Sequence, residues 1–217
     1  MADLSTAEHA MGEPFWDRVR QALDTLRPVR RTLPLGVAPS AIARSVGLKP
    51  RLGVRVEEEL AQGWRIAAEL RVSMSLLLIE IDCFSQYASA NGRAEADQCV
   101  LSIMQVIRQA LPRRADTCLR LGEAGFVVAM PDMPVLIARS VAAKIARKVR
   151  AMGLSHGASH LGVVSVSQGL VVTNPQGDYA RSFFESAAQA LGKAQRSGMG
   201  RTETIDLRPG QLLHAAA

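Results

Sequence analysis

The segment Met74–Ile81 constrains the fold more than any other part of the sequence. Its eight residues are apolar except for Ser75 and Glu80. A run this short and this apolar is typical of a central β-strand that is covered on both faces. Two acidic residues, Glu80 and Asp82, stand at its C-terminal end. The pattern therefore predicts a central buried strand that ends in carboxylates.

The other periodic segments predict helices and strands around this one. Apolar residues recur at helical spacing in four segments, at about 56–71, 94–110, 134–152 and 179–197. Four shorter segments are typical of strands, at 117–121, 126–130, 161–173 and 202–207. Gly169, inside the third of these strands, suggests a bulge or a bend. From Met74 onward the order β-α-β-β-α-β-α-β predicts an α/β fold with a central sheet flanked by helices.

The composition is that of a globular chain. Of the 217 residues, 48% are apolar and 21% are charged, which excludes wholesale disorder. No run approaches ~18 consecutive apolar residues, so we expect no membrane span. The N-terminus is polar and acidic, unlike a signal peptide. The three cysteines have no CxxC spacing, so we expect a cytoplasmic protein without disulfides or a zinc site.

The first part of the chain has a different character. An amphipathic helix is predicted from Pro14 to Leu26, with an apolar stripe suited to a protein partner, a second copy or the main domain. Between Arg27 and Arg55 there are seven basic residues and no acidic ones. We interpret this Pro-rich segment as a solvated linker rather than a DNA-binding surface. A surface for nucleic acid or acidic lipid is the alternative.

Three segments carry a family resemblance. LLIEIDCF at 77–84 is similar to L-L-x-D-I-D-x-F, RLGEAGF at 120–126 to R-[YWL]-G-G-[DE]-E-F, and VSVSQGL at 164–170 to V-T-V-S-x-G-V. In this order and spacing they resemble the GGDEF family, the diguanylate cyclases. The resemblance implies a helical, basic extension over 1–46, a degenerate GGDEF domain over 47–207 and a tail over 208–217.

The resemblance implies a chemistry that the residues here do not match. Diguanylate cyclases join two GTP molecules into cyclic di-GMP with the help of two divalent metals. The strand acid of the family is Glu80 here, but its two signature acids are replaced by Ala124 and Gly125. These two residues have no side-chain oxygen for magnesium. Glu123 provides a carboxylate one position early, in the signature Gly122-Glu123-Ala124-Gly125-Phe126.

Other pocket positions of the family have also changed. Ser85 stands in place of a phosphate-binding lysine, Ala88 in place of a guanine-reading asparagine, and Gln195 in place of a second lysine. Four acids remain as a vestigial active site: Glu80, Asp82, Asp97 and Glu123. We therefore expect no catalytic residue, no metal ligand and no cofactor, with magnesium relevant only if residual cyclase activity exists.

One ligand site of the family is retained in its residue types. Many diguanylate cyclases carry an allosteric R-x-x-D motif that ends six positions before the first signature glycine. Here Arg113 and Asp116 stand at that distance from Gly122, and Lys144 on the following helix matches a further basic position. The resemblance predicts that these three residues bind cyclic di-GMP. The alternative is an exposed turn with a local Arg–Asp pair.

These observations lead to one functional hypothesis with two alternatives. The hypothesis is a catalytically inactive GGDEF-like protein that acts as a cyclic-di-GMP receptor or as a regulatory partner-binding protein in bacterial signalling. One alternative is a weakly active diguanylate cyclase. The other is a nucleotide-independent interaction scaffold that uses the N-terminal helix.

Overall fold

The computed structural model describes residues 52–209, and the side chains of residues 55–209. The predicted helix Pro14–Leu26, most of the basic segment from Arg27 to Arg55 and most of the tail 208–217 lie outside the described residues. The chain divides into two units between Glu58 and Glu59. Of the first unit, the structure describes only residues 52–58, which are the opening turns of a helix.

Helices and strands alternate along the described residues. The helices are α1 (Leu52–Leu70), α2 (Phe84–Asn91), α3 (Arg93–Ala110), α4 (Val135–Ala151) and α5 (Ser182–Arg196). The strands are β1 (Met74–Ile81), β2 (Thr117–Leu121), β3 (Gly125–Pro131), β4 (Val166–Thr173) and β5 (Thr202–Asp206).

The five strands form one sheet in the order β2-β3-β1-β4-β5. Strand β1 is central and pairs antiparallel with both β3 and β4, while β5 runs parallel to β4. All eight residues of β1 are buried. The prediction of a central buried strand is therefore confirmed.

Helices cover both faces of this sheet. Alternate residues of β1 (Leu77, Ile79 and Ile81) join a core formed with α2, α3 and α4. On the opposite face, Trp64 of α1 contacts Phe183 of α5 edge to face, with 5.4 Å between the ring centroids. Because both faces are covered, β1 is apolar at nearly every position instead of at every second one. The central sheet with flanking helices confirms the predicted α/β class.

Two details of the predicted fold are wrong. The predicted strand 161–173 begins only at Val166, because Gly162, with a φ of 69°, belongs to a turn in which its carbonyl accepts from the His156 N–H. Of the bulge or bend expected at Gly169, the bulge is absent, since the β1–β4 register runs through this residue without interruption. A methyl group at Gly169 would lie 2.2 Å from the backbone oxygen of Ala187. This glycine is therefore required by the close approach of α5.

Between residues 52 and 209, none of the helices combines the length and the apolarity that a bilayer crossing requires.

The three cysteines, Cys83, Cys99 and Cys118, are free thiols. Burial raises the pKa of both Cys99 and Cys118 to about 11. These two thiols are therefore protonated at neutral pH.

Candidate functional site

Asp82, at the end of β1, is buried in a complete set of hydrogen bonds. Its Oδ2 accepts from the Ser165 hydroxyl at 2.6 Å and from the Gly200 N–H at 3.0 Å. Its Oδ1 accepts from the Ser167 hydroxyl at 2.6 Å. Ser165 and Ser167 are two positions apart, so their side chains lie on the same side of an extended chain. The carboxylate thereby joins β1 to β4 and to the turn before β5.

Glu80, two residues earlier, forms a hydrogen bond with a side chain of α5. The Gln195 Nε2 of α5 donates to Glu80 Oε2 at 2.7 Å. Gln195 is the residue that stands where the family has a lysine. The amide is uncharged, so this contact is a hydrogen bond from a neutral donor to the Glu80 carboxylate.

The β2–β3 hairpin brings the signature segment opposite this strand end. Leu121 pairs with Gly125, and Gly125 in turn pairs with Glu80 of β1. Ala124 is buried, and its carbonyl accepts from the Ile81 N–H at 3.0 Å. The position of the first signature acid is therefore occupied by a buried methyl group that lies against the central strand.

The turn of the hairpin is closed by one of its own side chains. Arg120 donates from Nη2 to the Glu123 carbonyl at 2.9 Å and from Nε to the Gly122 carbonyl at 3.2 Å. Glu123 itself is exposed. Gly122, with a φ of 64°, provides the left-handed conformation that the turn requires.

These residues do not fit a pair of magnesium ions. Magnesium requires oxygen ligands in octahedral geometry. Both oxygens of Asp82 already accept hydrogen bonds from protein donors, and Ala124 and Gly125 have no side-chain oxygens. Within the part of the chain that the structure describes, no group of three His, Cys, Asp or Glu side chains is arranged to hold a metal ion.

The fourth acid of the predicted vestigial site has a separate environment. Asp97 is exposed on α3, and its Oδ2 lies 3.9 Å from the Nε of Arg93, one helical turn earlier.

Helix α2, which precedes α3, was not predicted from the sequence. Ser85 and Ser89 of this helix line a shallow depression of about 430 Å³ together with Gln86 and Ala90. This depression contains no charged side chain among its lining residues.

The predicted R-x-x-D residues meet in the turn between α3 and β2. Asp116 Oδ2 accepts from the Arg113 N–H at 3.0 Å, and the Asp116 N–H donates to the Arg113 carbonyl at 3.3 Å. Burial raises the pKa of Asp116, while the bonded Arg113 N–H and the Arg113 charge oppose that rise. The second oxygen of this carboxylate, Oδ1, is buried and has no hydrogen-bond partner within the described part of the chain.

The Arg113 guanidinium turns away from Asp116 to a residue that sequence reasoning did not identify. Its Nη1 lies 2.6 Å from Asp132 Oδ2 and also donates to the Asp132 carbonyl. Lys144, on α4, is half-buried and forms no ion pair within residues 55–209. The structure therefore brings Arg113 and Asp116 together and shows no bond from either to Lys144.

Several partners of the site residues were missed by the sequence analysis. Gln195 was noted only as the replacement of a lysine, and Asp132 was not assigned to any site. Ser165 and Ser167 carried a usable signal, since two hydroxyls in alternation on a buried strand require a polar partner. The other contacts join residues that are distant in the chain, for which the sequence has no local signal.

Comparisons with known proteins agree with the sequence resemblance. Residues 53–201 match the family described as diguanylate cyclase, GGDEF domain. Diguanylate cyclase A of Treponema denticola is 27% identical over 135 residues, which cover 62% of this chain and 36% of that protein. The chain thus spans about a third of the length of the curated relatives that it matches.

Two solved structures share the fold. The GGDEF domain of DgcB from Caulobacter crescentus, in complex with c-di-GMP, superposes with a TM-score of 0.61 at 22% identity. The superposed region covers 69% of this chain and 87% of the DgcB chain. Diguanylate cyclase SiaD from Pseudomonas aeruginosa, in complex with its activator SiaC, also has a TM-score of 0.61 at 22% identity. It covers 89% of this chain and 69% of that chain.

Proposed function

Because the chain belongs to the GGDEF family, the diguanylate cyclases, we propose that it is a catalytically inactive member that acts as a cyclic-di-GMP receptor or as a regulatory partner-binding protein. One observation carries the proposal. The carboxylates of Asp82 and Glu80 are engaged by Ser165, Ser167 and Gln195. The opposing signature position is the buried methyl group of Ala124.

Loss of turnover follows from the charges at this strand end. Two GTP molecules carry triphosphates, which need metal ions or cations to offset their charge during transfer. Here Gln195 and Ser85 are neutral where the family has lysines, and Glu123 adds a negative charge at the hairpin. A triphosphate at this position would meet the exposed carboxylate of Glu123 and two neutral side chains where the family has lysines. We therefore expect weak or undetectable GTP binding.

The turn before β2 supports the receptor function. Arg113 already holds a carboxylate oxygen of Asp132 at 2.6 Å, so its guanidinium is oriented toward an anionic acceptor. A phosphate or a guanine edge offers a similar acceptor to a planar guanidinium. Asp116 Oδ1 has no hydrogen-bond partner among the described residues, so a guanine N–H that reached this buried oxygen would satisfy it. Lys144 provides a further cation on α4.

The test is calorimetry of the 217-residue chain against cyclic di-GMP and, separately, against GTP with magnesium. We expect cyclic di-GMP to bind and GTP to bind weakly or not at all. Arg113→Ala should weaken cyclic-di-GMP binding by roughly 10- to 200-fold. Asp116→Ala should also weaken it. Glu80→Ala is the matched control and should leave it unchanged, because Glu80 lies at the vestigial active site.

The outcomes separate the alternatives. Absence of cyclic-di-GMP binding at about 100 μM by the unaltered chain would favour a nucleotide-independent scaffold. If Glu80→Ala abolished binding and Arg113→Ala did not, the ligand would be assigned to the vestigial active site instead. The survival of two acids, Glu80 on β1 and Asp82 directly after it, favours the second candidate function, a weakly active cyclase. Detection of cyclic di-GMP after incubation with GTP and magnesium would establish that activity.

A further inference from the structure

Helix α4 has a solvent-facing side that carries only positive charge. The helix contains five basic residues and no acidic one, and the sequence from Met133 to Gly177 has no Asp or Glu at all. The exposed and half-exposed positions include all five cations: Arg139, Lys144, Arg147, Lys148 and Arg150. The opposite side, which includes Ala138, Ala142 and Ile145, is buried in the core.

Most of these cations have no acidic partner within residues 55–209. None of the five takes part in an ion pair there. Arg139 has a partial counter-charge, since Asp206 has a pKa lowered first by Arg208 and to a smaller extent by Arg139. Arg147 and Arg150, at the other end of the helix, are exposed and have no acidic neighbour of this kind between residues 55 and 209. A face of this kind attracts an anionic surface.

The same face also exposes two large aliphatic side chains. Leu136 is 73% exposed and Ile137 is 49% exposed, in the first turn of α4. Leu136, Ser140 and Arg147 lie within about 40° of one another around the helix axis, because they are four and eleven residues apart. Leu136 therefore lies on the side of the helix that carries Arg147, and Ile137 borders that side at about 100° from Leu136.

We propose that this α4 face, formed by Leu136, Ile137, Arg139, Arg147 and Arg150, binds the surface of a bilayer that contains anionic phospholipids. Cations on such a helix meet the lipid headgroups, and the aliphatic side chains enter the boundary with the acyl chains. Single-stranded nucleic acid is bound mainly by aromatic stacking platforms, and α4 contains no aromatic residue. The aliphatic pair therefore favours lipid over nucleic acid as the occupant.

The experiment is co-sedimentation of the 217-residue chain with vesicles of phosphatidylcholine, with and without phosphatidylglycerol. The unaltered chain should bind only the vesicles that contain phosphatidylglycerol, and less at 1 M salt, where the Debye length falls to about 3 Å. Arg147→Glu should weaken the partitioning about 30-fold, because one attraction is lost and one repulsion is added. Leu136→Ser should weaken it about tenfold.

A matched control excludes a general effect of net charge. Arg65→Glu changes the charge equally at an exposed helical position of α1, and it should leave vesicle binding nearly unchanged. Equal losses in Arg65→Glu and Arg147→Glu would overturn the proposal, as would binding that survives both α4 variants. Failure of the unaltered chain to bind anionic vesicles would also overturn it. Retention of a single-stranded oligonucleotide that Arg147→Glu abolishes and Leu136→Ser leaves intact would assign the face to nucleic acid instead.

Discussion

Arg113 and Asp132 form an ion pair, with 2.6 Å between Nη1 and Oδ2, that joins the turn before β2 to the turn after β3. The two residues are 19 positions apart. Asp132 has a φ of 55°, a left-handed conformation that aspartate tolerates better than most residues. Its carboxylate is bonded to the same guanidinium group that the proposed ligand would bind. A ligand at Arg113 must therefore displace Asp132 or share the guanidinium with it.

The first prediction follows from this competition. Asp132→Asn should tighten cyclic-di-GMP binding by up to about fivefold, because an exposed ion pair contributes only about 0.2–1 kcal/mol. Calorimetry of the variant beside the unaltered chain measures this change. Asp97→Asn, which removes a carboxylate from another exposed ion pair, should leave the affinity unchanged. Weaker binding in Asp132→Asn would mean that Asp132 assists the ligand.

The second prediction concerns the signature acids. The double variant Ala124→Glu, Gly125→Glu should produce no cyclic di-GMP from GTP and magnesium, because the phosphate and guanine contacts remain absent. It should also lower the free energy of unfolding by about 1–3 kcal/mol. A Cβ atom at position 125 would lie 2.6 Å from the Leu121 backbone oxygen, so the hairpin must shift.

Product chromatography and denaturation in guanidinium chloride provide the two readouts. Glu123→Gln is the control, since this exposed side chain should change stability by less than about 0.5 kcal/mol. Detectable cyclic di-GMP from the double variant would show that these two positions alone account for the loss of activity.

The third prediction concerns the buried carboxylate of Asp82. Asp82→Asn preserves the shape but removes the charge and turns an N–H₂ group toward one of its hydrogen-bond donors. The free energy of unfolding should fall by about 1.5–3 kcal/mol, the range for hydrogen bonds to charged groups. Asp97→Asn, at an exposed position, should change it by less than about 0.5 kcal/mol. Equal effects of the two substitutions would contradict this account of the Asp82 network.

The fourth prediction is a pH dependence of stability. Hydrogen bonds from Arg208 lower the pKa of Asp206 from 3.8, against a smaller opposing effect of burial. The stabilisation is therefore complete above pH 3.8 and is lost as the pH falls through the lower, folded-state pKa. Asp206→Asn should remove this part of the acid sensitivity. Chemical denaturation at a series of pH values measures it.

Asp116 provides a control of opposite sign. Burial raises its pKa above 3.8, so its contribution to stability decreases as the pH rises from 3.8 through the folded-state value. Asp116→Asn should therefore remove a loss of stability in that range. An identical pH profile for both variants would be inconsistent with these two environments.

The sequence predicted the sheet better than it predicted the site. Met74–Ile81 was identifiable as the central strand because burial on both faces makes it apolar throughout. Helix α2 was missed, since its eight residues show little apolar periodicity and it is followed at once by Gly92. The predicted strand 161–173 was longer than the observed strand Val166–Thr173, because the apolar pattern continues through a turn whose geometry depends on Gly162.

For the site, the family resemblance identified positions but not contacts. It located Glu80 and Asp82 at the strand end, and the structure shows them there. It did not predict that Gln195 would bond to Glu80, because that contact joins residues 115 positions apart. The same holds for Arg113, whose partner is determined by how two turns meet across the edge of the sheet.

The last prediction concerns Gly169, where a bulge or a bend was expected. Its Cα lies under α5, and a Cβ there would be 2.2 Å from the Ala187 backbone oxygen and 2.3 Å from the Leu191 nitrogen. The obstructing atoms belong to helix backbone, so they cannot rotate away as a side chain would. Gly169→Ala should therefore move α5 and lower the free energy of unfolding by about 1–3 kcal/mol or more. Gly157→Ala is the matched control, because no atom lies within 4 Å of its added Cβ. That substitution should be neutral or stabilise by up to about 1 kcal/mol. Guanidinium denaturation of both variants tests the difference, and an unchanged midpoint for Gly169→Ala would refute the close approach of α5 to β4.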